Sequence, residues 1–137
     1  MKEGILAVIG VIWGFIISEI GGWDTGLHAL FLFMAIDYIS GWIVAIVFKK
    51  SKRTVTGTLS SDVGFKGLIK KGMQLMIVLV GHELDLIIGT NFIRNGVIIA
   101  FISNELISIM ENAGLMGIPL PPVIQKAIDI LNNKKEE

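Results

Sequence analysis

The stretch Leu27–Phe48, LHALFLFMAIDYISGWIVAIVF, constrains the chain more than any other. It is about 22 residues of nearly unbroken apolar sequence, and as a helix it reaches roughly 33 Å, enough to cross a hydrocarbon core of ~30 Å. A soluble helix would pair its apolar stripe with a polar face, and this stretch has none. It reads as a membrane span. Its one acid, Asp37, sits near the middle, where a carboxylate costs about 2.5–3.5 kcal/mol on insertion scales. Asp37 therefore requires a partner, water or a proton. Counting by fours places Asp37, Gly41 and Ala45 on one face with Ser40 beside them. Small residues at that spacing admit a second helix closely, so the acid lies on the face best suited to meet one.

The rest of the composition agrees with a membrane setting. Charged residues make up 18% of the 137-residue chain, below the ~25% of soluble domains, and the mean hydropathy is +0.72. That length allows one small unit with little left for a soluble catalytic domain. Net charge is zero, but its distribution is uneven. There is no cysteine, which excludes disulfides, thiolate metal sites and a cysteine nucleophile. His28 and His82 are too few and too far apart for a metal centre, and His82-Glu83-Leu84-Asp85 is not HExxH.

A second apolar run covers residues 4–22. As a span it places Gly10, Gly14, Ser18 and Gly22 at intervals of four, a small-residue face for helix packing in a bundle or a dimer seam. A signal-peptide reading lacks an A-x-A site, and Glu19 falls in the would-be cleavage region. The turn 21–26 has no basic residue. In contrast Lys49, Lys50, Lys52, Arg53, Lys66, Lys70 and Lys71 fall between 49 and 71 against Asp62 alone. Lys/Arg bias sets orientation, so a basic loop 49–71 is expected on the cytoplasmic side, with the 21–26 turn outside. The loop has one aromatic, Phe65, and no recognition helix for a nucleic-acid site, and attraction to anionic headgroups is the simpler expectation.

A third run, 72–89, is interrupted by His82, Glu83 and Asp85, so it either spans or lies half-buried as a re-entrant helix. A fourth span is expected over 92–110, with Gly96, Ala100, Asn104 and Ser108 on one face, Asn112 beyond and Glu105 adjacent. Arg94 lies near its outer end, too far from Asp37 to pair with it. Pro119, Pro121 and Pro122 then stop the helix. Residues 123–131 form a short amphipathic helix that needs the membrane surface or the bundle for support, and NNKKEE follows as a charged tail. The expected architecture is an all-α integral membrane protein with about four transmembrane helices within 1–122, both termini cytoplasmic, and a cytoplasmic segment 123–137.

No nucleophile elbow, phosphate loop or metal-ligand spacing occurs, so no catalytic, cofactor-binding or metal residues are expected. Ionisable groups at membrane depth are functional by default, in a water path or in helix recognition; Asp37 and Glu105 are the deepest. Four thin helices cannot enclose a wide lumen. Polar seams that face water therefore imply a homo-oligomer in the lipid bilayer.

Several motifs resemble one family: Asp37-Tyr38-Ile39-Ser40-Gly41, Gly64-Phe65-Lys66-Gly67-Leu68 with Lys70-Lys71, Asn104-Glu105-Leu106-Ile107-Ser108 running into Glu111-Asn112-Ala113-Gly114, and Gly117-Ile118-Pro119-Leu120-Pro121. From about Asp37 to Leu131 the chain resembles the bacteriophage holin family of the toxin-secretion and phage-lysis type. The resemblance implies a non-enzymatic protein of the bacterial cytoplasmic membrane that accumulates and then associates into lesions, releasing an endolysin or a secreted toxin. It implies no cofactor. Asn104, Glu105, Glu111 and Asn112 match the most distinctive motif and are the residues it implicates in assembly or gating. An antiholin-like regulatory subunit and a narrow oligomeric ion or solute channel are the alternatives.

Overall fold

The computed structural model describes residues 1–136, and all regular structure among them is helical. The helices are α1 (Lys2–Glu19), α2 (Thr25–Ile43), α3 (Ser61–Ile88), α4 (Ile93–Leu115) and α5 (Pro122–Glu136). Two stretches are long and apolar enough to cross a membrane: Thr25–Phe48, which joins α2 to a π-helical turn at Val44–Phe48, and α4.

Local chemistry explains the boundaries. Asp24 caps α2, its Oδ1 accepting the Leu27 N–H at 2.8 Å. The π-helical turn ends at Lys49 in the left-handed region, φ 53°. Ser60 precedes α3, with Asp62 in the first turn opposite the helix dipole. Gly89, at φ 81°, closes α3 with the left-handed cap that glycine adopts most readily.

Three boundaries differ from expectation. The basic segment 49–71 is not one loop: it is helical from Ser61, which puts Lys66, Lys70 and Lys71 on α3. The first helix stops at Glu19, and Gly21 and Gly22, at φ 99° and 89°, form the turn, so Gly22 belongs to no helical face. The C-terminal helix runs on to Glu136, through most of the expected tail, because α5 packs along α4. Glu137 lies outside the described residues.

Packing centres on α4. It lies against α2, α3 and α5, while α1 buries no residue within its helix. The core contains Leu27, Leu30 and Met34 of α2, Val78 of α3, and Ile98 and Ile102 of α4. Close approach of α3 to α4 depends on Gly81, where a Cβ would stand 3.2 Å from the Arg94 Cα. Gly10 and Gly14 show the opposite: a Cβ at either meets nothing within 4 Å, so this small-residue face packs against nothing in the protomer.

A polar layer closes one end of the core. Asp85 of α3 supplies the cap that α4 lacks, accepting N–H groups from Ile93 and Arg94, both at 2.9 Å, and the Thr90 hydroxyl at 2.6 Å. This satisfies donors that a helix start leaves orphaned. The Arg94 side chain reaches across to the α1–α2 turn, donating to the carbonyls of Ile20 and Gly22 and to Asp24 Oδ2 at 2.6 Å. Burial pushes the Asp24 carboxyl up, but the Leu27 N–H and the Arg94 guanidinium outweigh it and hold it below the usual 3.8.

A carboxylate held low contributes its stability in full above the unfolded value and loses it as pH falls through the folded one. Thermal unfolding in neutral detergent, followed by circular dichroism, is therefore expected at lower temperature as pH drops below about 4. Asp24→Asn is expected to start less stable at neutral pH and to lack this component. Identical acid profiles for both proteins would show that the clasp does not titrate.

Candidate functional site: an ion-pair cluster beside a polar cavity

The second polar layer is built by three helices and a loop. Asp37 comes from α2, Lys71 from α3 and Glu105 from α4, and all three side chains are at most 14% exposed. Lys71 Nζ donates to Asp37 Oδ2 and Glu105 Oε2, each at 2.7 Å. The other Asp37 oxygen accepts from Ser108 Oγ at 2.5 Å and from Asn112 Nδ2 at 3.2 Å. Asn112 also donates to Ser40 Oγ at 2.8 Å. From the 49–60 loop, Arg53 donates to Ser108 at 3.0 Å and stands 3.7 Å from Asp37. Two carboxylates thus meet two cations.

The local sequence explains the convergence. Ser108 and Asn112 are four apart on α4 and occupy one face, with Glu105 three before Ser108. Gly41 lets that face approach: a Cβ there would lie 3.5 Å from the Arg53 guanidinium and 3.9 Å from the Asn112 amide. Tyr38 ties α3 to α2 by donating its hydroxyl to the Gly64 carbonyl at 3.1 Å. Ala45, one turn beyond Gly41, is buried.

Not every residue singled out in the sequence joins this cluster. Asp37, Gly41, Glu105, Ser108 and Asn112 come together. Asn104 is exposed and accepts from Lys135 of α5 at 3.4 Å, beside the half-buried Ser103–Asn132 hydrogen bond of 2.6 Å. Glu111 is exposed and shares a shallow cleft with Lys52 and Arg53. Ser18, like Gly10 and Gly14, is exposed on α1. Arg94 pairs with Asp24 and not with Asp37. The residue that sequence reasoning missed is Lys71, counted as one of several loop cations. Gly64, Gly67 and Lys71 at helical spacing, after Ser60 and Asp62 as a helix start, were the available signal.

Beside the cluster lies an open cavity of about 450 Å³ between α3 and α4. Asp37, Lys71 and Glu105 line it, together with Arg53, Lys66 and Lys70. No group of three or more potential metal ligands occurs among the described residues. The two polar layers are 11 to 14 residues apart along α2, α3 and α4, roughly 17–21 Å at 1.5 Å per residue. The apolar core fills the space between them.

Two bilayer-length apolar helices, joined to others through a buried charged cluster, point to a small helical membrane protein. The chain belongs to the bacteriophage holin family, whose model matches residues 14–133. It is 39% identical to an uncharacterised protein of Listeria monocytogenes, over 100% of this chain and 90% of that one. A Listeria innocua protein is 38% identical over 98% and 88% of the two chains. An uncharacterised 14.9 kDa protein in the nagH 3′ region of Clostridium perfringens is 36% identical over 98% and 95%. No solved structure matches.

Removing the cation should strand both acids. Lys71→Met is expected to lower unfolding stability in mixed micelles by about 3–5 kcal/mol, as for a buried pair deprived of one partner. Adding Glu105→Gln to Lys71→Met should recover part of that loss. Strictly additive losses in the double variant would show that the three side chains do not act as a unit.

Proposed function

We propose that the protein acts as a holin: copies accumulate in the bacterial cytoplasmic membrane, associate, and open lesions that release a cell-wall hydrolase or a toxin. The observation that supports the reading is the spacing of the two polar layers. With the Asp24–Arg94 layer at the outer boundary, a layer only 17–21 Å away falls inside a hydrocarbon core of ~30 Å. The cluster and its cavity then open on one flank, along Lys66, Lys70 and Asn104, at a level where lipid cannot solvate them. A face of α2 and its π-helical turn that exposes Ile39, Trp42, Ile46 and Val47 suits lipid. A protomer with one oily and one wet flank is stabilised when the wet flanks of several copies share water.

The accompanying topology has four spans, with the 49–60 loop and α5 inside and the turns at 21–26 and 89–92 outside. The family membership supports a lytic role without catalysis.

Two measurements test this. Asp37→Leu and Glu105→Leu, each expressed with an endolysin and matched for accumulation, are expected to shift the time of lysis. Unaltered timing in both would count against the cluster having this role. Single cysteines introduced into this cysteine-free chain at Thr25 and Asn91 should react with an impermeant probe from outside, and those at Ser60 and Asn133 only after the cells are opened. Labelling of Ser60→Cys from outside would overturn the orientation.

A further inference from the structure

We propose that the cleft between α3 and α4 holds the phosphodiester headgroup of an anionic phospholipid, with its acyl chains lying along α3. The proposal rests on the membrane reading above but not on lesion formation.

The charge balance of the cleft leaves two cations over. On its floor Lys71 bridges Asp37 and Glu105, and Arg53 stands 3.7 Å from Asp37, so the carboxylates are matched. Lys66 and Lys70 line the same cavity. Lys66 meets only Asp62, at 3.1 Å, in a pair whose side chains are 70% and 72% exposed, a contact of little strength in water. Lys70 forms no ion pair among the described residues. Across the cleft the Asn104 side-chain amide offers N–H groups to an anion's oxygens, its carbonyl being taken by Lys135.

What turns an anion site into a lipid site is the direction in which the lysines lead. Lys66, Lys70, Met73, Ile77, Val80 and Leu84 follow at intervals of four, three, four, three and four, a single stripe of α3. Met73, Ile77, Val80 and Leu84 are each at least 38% exposed, although the stripe borders the bundle. With Asp85 at the outer boundary, Lys66 lies about 28 Å in, near the inner boundary of a ~30 Å core, Lys70 about 22 Å in, and Met73, Ile77 and Val80 about 18 to 8 Å in. An inner-leaflet phospholipid whose headgroup is drawn a few ångströms below the interface to the lysines would lay its ~15 Å chains over Met73, Ile77 and Val80. A soluble phosphate would use the lysines and leave the track unoccupied.

The test counts lipids retained by the full-length protein in mild detergent, by native mass spectrometry, after exchange into equal phosphatidylglycerol and phosphatidylcholine. The wild-type protein is expected to retain phosphatidylglycerol with about thirtyfold preference, as two membrane-proximal cations should give. Lys66→Gln/Lys70→Gln should lose that preference with unchanged helicity, whereas Lys49→Gln/Lys50→Gln should keep it. Absence of preference in the wild type, or its equal loss in the Lys49/Lys50 variant, would overturn the site. Displacement of the lipid by excess inorganic phosphate would overturn the lipid in favour of a free anion. Failure of lysis with the preference intact would defeat the holin reading and leave the site standing.

Discussion

One ammonium group held between two carboxylates decides how this bundle is put together. Lys71 belongs to α3, Asp37 to α2 and Glu105 to α4, and each contact is 2.7 Å. At low effective dielectric none of the three can be left alone without a penalty of several kcal/mol, so any two of these helices require the third. In water, burial of Leu27, Leu30 or Ile98 would drive association at about 1.5–3 kcal/mol per side chain. Within lipid that driving force is lost, since acyl chains are as apolar as leucine, and polar contacts and close packing must specify the partners. The triad alone carries one excess negative charge, and Arg53 balances it from outside the helices. The basic loop is thereby tied to the core, and the docking of Gly41 against Arg53 and Asn112 becomes part of the same constraint.

The two polar layers differ in a way that bears on function. At the Asp85 end, capping and clasping are satisfied: Arg94 spends its guanidinium on two carbonyls and Asp24, and Asp85 accepts three donors. That layer is closed and structural. The Asp37 end satisfies its carboxylates but opens sideways into a cavity with further cations at its rim. On the proposed function, water reaches the charged groups at this end and along this flank.

The sequence made some of this readable and concealed the rest for physical reasons. Asp37 was identifiable because a mid-span acid must have a partner, and its face was identifiable because Gly41 and Ala45 recur at helical spacing. Glu105, Ser108 and Asn112 were readable for the same reason. That their partner helix lies in the same chain was not, because i, i+4 spacing marks a face without saying what covers it. Lys71 was hidden by a valid rule: clustered lysines do set orientation, yet one of them had a buried role that only the position of α3 reveals. Read alone, Asp85 is only one of the polar residues that interrupt the 72–89 run, and its service to the first N–H groups of α4 depends on the Gly89 turn folding α4 back beside α3. The continuation of α5 to Glu136 depends on tertiary support, with Ile128 buried and Asn132 bonded to Ser103. A charged tail has no such support when read alone.

The depth of α5 follows from the same geometry and bears on the proposed assembly. Asn132 and Lys135 meet Ser103 and Asn104, residues adjacent to Glu105, so the C-terminal turns of α5 rise to the level of the charged cluster. Lys135 then stands beside Asn104 at the cavity's rim, with Asn133 and Lys134 on the same turn, and on the proposed topology a lipid-facing lysine is costly at this depth. Such groups are tolerable there only if water reaches the same level from the cytoplasmic side. The docked position of α5 and the opening of the cleft therefore make the same demand, and a lone protomer surrounded by lipid meets it poorly. Peeling α5 onto the membrane surface would relieve the lysines but uncover Ile128 and Ser103. Pooling wet flanks with neighbouring copies relieves both at once, which gives association a physical reason that does not depend on any single contact between protomers.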